Sequence, residues 1–151
     1  MNVDALFKNA TVLSTEGKNK KAQVAYSEII DILVGQLSKE ATMIKTRNEV
    51  LALAYNNRGH LRYLCVDFDE AVDDYTEAIK YDEHLAVAYY NRGQIHYRLG
   101  RFSLGITDFK KCLETEAHFT EAQTALETAT QDKLEQDKKA NINNVGITSV
   151  T

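Results

Sequence analysis

Apolar residues recur every three or four positions through most of this chain, which is the spacing that lines one face of an α-helix. The clearest stripe consists of Phe68, Ala71, Val72, Tyr75, Ala78 and Ile79. The stripe returns one period later as Phe102, Gly105, Ile106, Phe109, Cys112 and Leu113. Before each stripe, an aromatic–glycine–aromatic series at intervals of four residues indicates another helix, with the glycine where two helices pack closely. The pattern therefore predicts pairs of antiparallel helices.

The chain contains an internal repeat, because segments 52–85 and 86–119 align without a gap. The identical positions include Tyr55/Tyr89, Asn57/Asn91, Arg58/Arg92, Gly59/Gly93, Tyr63/Tyr97 and Asp74/Asp108. A looser copy at about 3–36 is separated from the second by an insertion, 37–51, which we expect to extend the flanking helices around a loop. Gly100 is expected to end a helix in the left-handed conformation. Residues 120–139 are expected to form a capping helix and 140–151 a disordered tail, completing a single domain over 1–139.

The period and its residues resemble the tetratricopeptide repeat family. The matching positions of the second unit are Tyr55, Gly59, Tyr63, Ala71, Tyr75 and Ala78, and those of the third are Tyr89, Gly93, Tyr97, Gly105, Phe109 and Cys112. The usual proline near the end of each repeat is absent, with Glu83 and Ala117 in its place. The resemblance implies an all-α protein, a right-handed α-solenoid of three helical hairpins plus a C-terminal capping helix.

The resemblance also implies a concave groove lined by the first helix of each repeat, which would bind a peptide or protein segment. The predicted peptide-binding residues are Phe7, Thr11, Asn56, Asn57, His60, Tyr63, Tyr90, Asn91, Gln94, Tyr97 and Arg98. Family members that hold a chaperone's C-terminal carboxylate do so with Lys or Arg and Asn at positions that here are Phe7, Thr11, Asn57, Val87 and Asn91, and every position that calls for a cation lacks one. Only Asn57 fits, which argues against a chaperone tail as the partner.

Asn57 and Asn91 lie one period apart, and two interpretations of them stay open. Their amides can grip the backbone of an extended partner, since an amide both donates and accepts hydrogen bonds. Alternatively, they bond neighbouring turns within the stack. Arg58 and Arg92 are expected to have a structural role, their stems lying along neighbouring helices with the charge outside.

The composition of the chain restricts the classes of function that we expect. The net charge of −4 argues against nucleic-acid and anionic-membrane partners, and the absence of proline suits uninterrupted helices. Two cysteines, no long apolar run and no secretory leader pattern indicate a soluble cytoplasmic protein. No catalytic motif, metal-ligand spacing or cofactor fingerprint is present, so we expect no enzyme, no metal and no cofactor. The predicted function is a protein-binding adaptor or scaffold. The alternative is a structural subunit of a larger complex that uses helix edges or the insertion 37–51.

Overall fold

The computed structural model describes residues 2–36 and 40–147, and side chains as far as residue 145. These residues form seven α-helices: α1 (Val3–Thr15), α2 (Asn19–Gly35), α3 (Ala41–Leu64), α4 (Phe68–Tyr81), α5 (Ala86–Arg98), α6 (Phe102–Thr115) and α7 (Thr120–Ile147). Each helix packs mainly on its neighbours in sequence. The prediction of an all-α solenoid is confirmed.

Glycine allows the two helices of a repeat to pack closely. A Cβ atom added at Gly59 would lie 3.0 Å from Cε1 of Tyr75, and one added at Gly93 would lie 2.8 Å from Cε1 of Phe109. Both aromatic rings are fully buried, so the missing side chain makes room for a large apolar group. The repeated glycine therefore sets the distance between α3 and α4, and between α5 and α6.

The first helix of each hairpin ends in the same turn. Gly17 and Gly100 have φ of 72°, as predicted for Gly100, and the equivalent residue between α3 and α4 is Val66, at φ 65°. In each turn, the N–H of the following residue donates to a carbonyl five positions earlier, at 2.8–2.9 Å. A β-branched residue in this region is strained, so the tight turn is kept at Val66 at an energetic cost.

Buried ion pairs join the helices of each repeat. Arg58 forms two hydrogen bonds with Asp74, at 2.7 and 2.9 Å, and Arg92 does the same with Asp108, at 2.8 and 2.9 Å. The two carboxylates are almost fully buried. The expectation that the arginines keep their charge outside is therefore wrong, since each guanidinium is needed to neutralise a buried carboxylate.

The same arginines reach back to the preceding repeat. Nη1 of Arg58 donates to Oγ of Ser27 on α2, and Nη1 of Arg92 donates to Oγ1 of Thr76 on α4, both at 3.0 Å. Each arginine therefore links three helices. The repeats are held in register by directed polar contacts in addition to apolar packing.

Two segments differ in extent from the sequence expectation. Helix α3 begins at Ala41, so most of the 37–51 insertion lengthens the first helix of the second repeat to 24 residues, against 13 for α5. Helix α7 continues to Ile147, past the predicted end at 139, because no proline or left-handed glycine stops it. Residues 148–151 of the expected tail, and residues 37–39, lie outside the described residues.

The apolar core is distributed along the stack. One cluster joins α1, α2 and α3 around Tyr26 and Leu51, a second joins α4 and α5 around Tyr75, and a third joins α5, α6 and α7 around Cys112. No helix within residues 2–36 and 40–147 is both long enough and apolar enough to cross a membrane.

Candidate functional site

The first helices of the hairpins bring polar side chains from several repeats around one pocket of about 400 Å³. We call it the central pocket, and it is lined by Thr11, Ser14, Thr15, Tyr26, Asn56, Asn57, His60, Val87 and Asn91. Five predicted groove residues, Thr11, Asn56, Asn57, His60 and Asn91, thus share one pocket. They come from α1, α3 and α5, whose periodicity turns every third or fourth residue toward the same side.

These side chains form a series of hydrogen bonds in which each residue donates to the next. Nδ2 of Asn91 donates to Oδ1 of Asn56 at 3.2 Å, and Nδ2 of Asn56 donates to Oδ1 of Asn57 at 3.4 Å. Nδ2 of Asn57 then donates to the hydroxyl of Tyr26 at 3.3 Å. The Tyr26 hydroxyl lies 3.2 Å from that of Thr11, which itself donates to a backbone carbonyl, so Tyr26 is the donor in that contact. We call this set the amide chain.

The amide chain fixes which groups remain for a ligand. Asn56 is buried and has both its oxygen and its nitrogen engaged, so it positions its neighbours. Asn91 is only partly buried, and no group of the described residues donates to its Oδ1. Because every bond in the chain runs the same way, each donor polarises the next. The free end is an acceptor suited to a backbone N–H.

The predicted tyrosines take part in contacts between repeats. The hydroxyl of Tyr63 accepts from Nη1 of Arg98 at 3.1 Å, and that of Tyr97 donates to Oδ2 of Asp132 on α7 at 2.6 Å. The bond to Asp132 is the main cause of a raised pKa of Tyr97. Tyr63, Tyr97 and Arg98 thus lie on the first-helix face but outside the central pocket.

Three other predicted residues, Phe7, Tyr90 and Gln94, are not among those that line the central pocket. The ring of Tyr90 lies 5.0 Å from that of Phe119, within the C-terminal core, and burial raises the pKa of Tyr90. Its hydroxyl accepts from Nε2 of Gln94 at 2.5 Å. Phe7 packs edge-on against Tyr26, with ring centroids 5.4 Å apart. Most of the ring area of Tyr90 is therefore used within the fold.

Tyr26 is a pocket residue that sequence reasoning missed. It belongs to α2, at the repeat position where the third unit has Phe109 in its apolar stripe. Its ring is indeed buried, but its hydroxyl reaches the central pocket. The signal was the hydroxyl itself, because a tyrosine at a core position needs a polar partner.

A second, more apolar pocket adjoins the first. This N-terminal pocket has a volume of about 670 Å³ and is lined by Asp4, Phe7, Lys8, Thr11, Val12, Val50 and Leu53. Thr11 lines both pockets, so the two pockets adjoin at this residue. Val12 and Leu53 are 51% and 42% exposed. Exposed apolar side chains inside a concavity favour binding of an apolar group.

The charges around the central pocket are unsuited to holding a carboxylate. None of the described residues that line it is a lysine or an arginine. The Cys112 thiol is unsuited to nucleophilic chemistry, since burial raises its pKa to about 11 and keeps it protonated. Across the described ranges, no three His, Cys, Asp or Glu side chains are grouped so that they could bind a metal ion.

Comparisons with known proteins agree with this geometry. Residues 67–100 match a family described as TPR repeat, and residues 86–119 match one described as Tetratricopeptide repeat. Among solved structures, the first TPR domain of Spaghetti (RPAP3) bound to the HSP90 peptide SRMEEVD superposes with a TM-score of 0.72 at 20% identity, covering 87% of this chain and 93% of that one. The Arabidopsis OM64 TPR domain gives 0.71 at 22% identity, covering 86% and 95%.

A third similar structure is the second TPR domain of human RPAP3 in complex with the HSP70 peptide SGPTIEEVD. Its TM-score is 0.65 at 24% identity, covering 82% of this chain and 90% of that one. At these identities the structures establish the shared fold, and the family matches identify the repeat within residues 67–119.

Proposed function

The chain carries tetratricopeptide repeats, and on that premise we propose that it is a non-catalytic adaptor that binds a segment of a partner protein along the face formed by α1, α3 and α5. The observation that carries the proposal is the central pocket, where three repeats contribute ordered amide and hydroxyl groups to one depression. Two free thiols, Cys65 and Cys112, fit a reducing compartment such as the cytoplasm.

The amide chain supports binding through the partner's backbone. A peptide unit offers one donor and one acceptor, and an asparagine side chain matches both. The fold already holds Asn57 and Asn91 through Asn56, so little side-chain entropy remains to be lost when a ligand arrives. The two interpretations of these residues are compatible, because the bonds within the stack leave the Oδ1 of Asn91 and the second N–H of the partly buried Asn57 amide without a partner among the described residues.

The partner segment is expected to differ from those of the similar structures. The Spaghetti and human RPAP3 domains are seen with HSP90 and HSP70 peptides that end in EEVD. A terminal carboxylate gains most of its affinity from charge-assisted bonds, and the lining of the central pocket supplies no fixed cation. We therefore assign this groove to a segment without a terminal carboxylate.

A second candidate, a structural subunit docking through the extended start of α3, has its own supporting observation. Met43 is 58% exposed beside a pocket of about 380 Å³ that includes Thr46, Arg47 and Val50. Replacing the whole 37–51 segment would remove the buried Leu51, so surface substitutions make the cleaner test. Met43→Asp together with Thr46→Asp abolishes binding under this candidate and spares it under the groove proposal.

Affinity capture from cell lysate tests the groove proposal. Asn57→Ala with Asn91→Ala removes the donor to Tyr26 and the donor to Asn56, and we expect it to lose the proteins that the wild type captures. Asn9→Ala with Asn141→Ala is the matched control, since both asparagines are exposed and lie outside the pockets. Circular dichroism melts show whether each variant is folded. A folded groove variant that still captures the wild-type partners contradicts the proposal.

A further inference from the structure

The two adjoining pockets are lined by different kinds of side chain, and this difference indicates which kind of ligand would fit them. The central pocket presents amides and hydroxyls, whereas the N-terminal pocket is lined mainly by Phe7, Val12, Val50 and Leu53. Thr11 is the side chain between them. A segment crossing Thr11 therefore passes from a polar floor to an apolar one.

Charge restricts the ligand further. The central pocket has only neutral side chains apart from His60, so it cannot offset the cost of removing an Asp, Glu, Lys or Arg side chain from water. The N-terminal pocket has Asp4 and Lys8 among its lining residues, and both are exposed. A charge of either sign is therefore tolerated beside the apolar end and disfavoured over the polar floor.

Resting on the proposed function, we infer that the groove selects an extended internal segment of a partner that places a bulky apolar side chain in the N-terminal pocket and uncharged residues over the central pocket. The apolar side chain supplies affinity through burial against Val12 and Leu53, which are otherwise exposed. The uncharged stretch supplies the backbone groups that Asn57 and Asn91 contact. Both ends of the segment continue into the partner chain.

The dimensions of α1 set the length of this motif. From Phe7, at the apolar end, to Thr15, at the polar end, the helix rises by roughly 12 Å. An extended segment advances by about 3.3 Å per residue, so roughly four residues cross both pockets. The motif is one large apolar residue within about three positions of an uncharged stretch.

The test begins with a random peptide library displayed between constant flanks, so that no member has a free C-terminus within the variable region. We expect selection on the wild-type chain to enrich Leu, Met or Phe next to uncharged residues. Selected peptides are then synthesised with amidated and with free C-termini and titrated by fluorescence anisotropy. The two forms should bind within about twofold of each other, since no charge-assisted anchor is used.

Variants locate the apolar end. Leu53→Asp should weaken the selected peptides roughly tenfold or more, the effect of losing the burial of one large apolar side chain. Leu104→Asp is the matched control, because Leu104 is 52% exposed on α6 and lines neither pocket. Its affinity should equal that of the wild type. Val12→Ser repeats the test with a smaller change, in case Leu53→Asp perturbs α3.

The possible failures are distinguishable. Peptides that bind, lose affinity with Asn57→Ala plus Asn91→Ala, yet tolerate both Leu53→Asp and Val12→Ser would overturn the apolar anchor and leave the groove function standing. A tenfold preference for the free carboxylate would overturn the internal-segment assignment. If no peptide is enriched, or the selected peptides bind the double-asparagine variant as well as the wild type, the proposed function fails and this inference fails with it.

Discussion

Asp74 and Asp108 occupy the same position in two repeats, but the second basic residue beside each of them differs. Asp74 is bonded by Arg58 and also lies 2.9 Å from Nη1 of Arg62. At the position equivalent to Arg62, the third repeat has His96, whose Nε2 lies 4.0 Å from Asp108. The permanently charged Arg62 of one repeat is thus replaced in the next by an imidazole, whose charge depends on the pH.

Burial is the main cause of a lowered pKa of His96, and the nearby Arg92 and Arg101 add to it, against the opposing effect of Asp108. The folded state therefore binds a proton less readily than the unfolded chain, where histidine has a pKa of about 6.5. Below that pH the unfolded state gains the proton first, so the free energy of unfolding should fall as the pH drops.

His96→Arg should remove this part of the pH dependence, because arginine stays charged and can pair with Asp108 as Arg62 pairs with Asp74. Urea midpoints at pH 7.5 and 5.5 measure the effect. We expect a smaller decrease on acidification than in the wild type. His118→Arg, at an exposed position between α6 and α7, should leave the decrease as it is. An unchanged pH dependence in His96→Arg contradicts the assignment.

At the scale of the helices, close packing requires glycine more strictly at Gly93 than at Gly59. An added Cβ would approach Phe109 to 2.8 Å at Gly93, but Tyr75 only to 3.0 Å at Gly59. A methyl group in a full interface costs about 1–3 kcal/mol, against a gain of roughly 1 kcal/mol in helix propensity. At Gly59 the packing cost of the added methyl group and its gain in helix propensity nearly cancel. At Gly93 the packing cost is larger than the gain.

Gly93→Ala should therefore lower the free energy of unfolding by about 1 kcal/mol, and Gly59→Ala should change it by less. Chemical denaturation followed by circular dichroism at 222 nm measures both. Gly35→Ala is the control, since nothing lies within 4 Å of its Cβ position, and its stability should be unchanged or slightly raised. Equal losses at Gly59 and Gly93 would show that the approach to Phe109 does not decide the outcome.

The helix pairs were predictable from sequence because period and amphipathic spacing act locally. Apolar stripes one repeat apart are sufficient to predict α3 to α6, and the left-handed turn at Gly100 follows from the residue type. The start of α3 at Ala41 was not predictable, since the first residues of the insertion have no clear stripe. Helix α7 continues beyond residue 139 because no helix-terminating residue ends it there, and the spacing of apolar residues does not show where such a helix ends.

The candidate site was only partly predictable, for a different reason. Helical periodicity and the family resemblance identify residues that share a face, and Thr11, Asn57 and Asn91 do line one pocket. They do not reveal which side chains bond to each other across repeats. The amide of Asn56 and the hydroxyl of Tyr26 are engaged by partners 35 and 31 residues away in sequence, respectively. Those partners are known only once the hairpins are stacked.

At the scale of the whole molecule, polar links of one kind recur along the stack. Arg58 joins α3 to α4 and to Ser27 on α2, while Arg92 joins α5 to α6 and to Thr76 on α4. In a solenoid, the free energy of unfolding is approximately the sum of the contributions of the individual repeats and of the interfaces between neighbouring repeats. With three hairpins, the loss of one interface leaves little to support an end repeat. We therefore expect these arginines to affect whether the chain unfolds as one unit.

Arg58→Met should reveal this coupling, because it leaves the carboxylate of Asp74, 3% exposed, with Arg62 as its remaining cation. We expect a loss of about 3 kcal/mol, the lower end for breaking a buried pair, and faster amide hydrogen exchange in α1 and α2 than in α5 and α6. Adding Asp74→Leu should restore part of the stability, since the buried carboxylate that has lost Arg58 is then gone. Lys80→Met, which breaks the exposed pair with Glu77, should shift the urea midpoint far less. Uniform loss of exchange protection along the chain would instead mean that apolar packing alone couples the repeats.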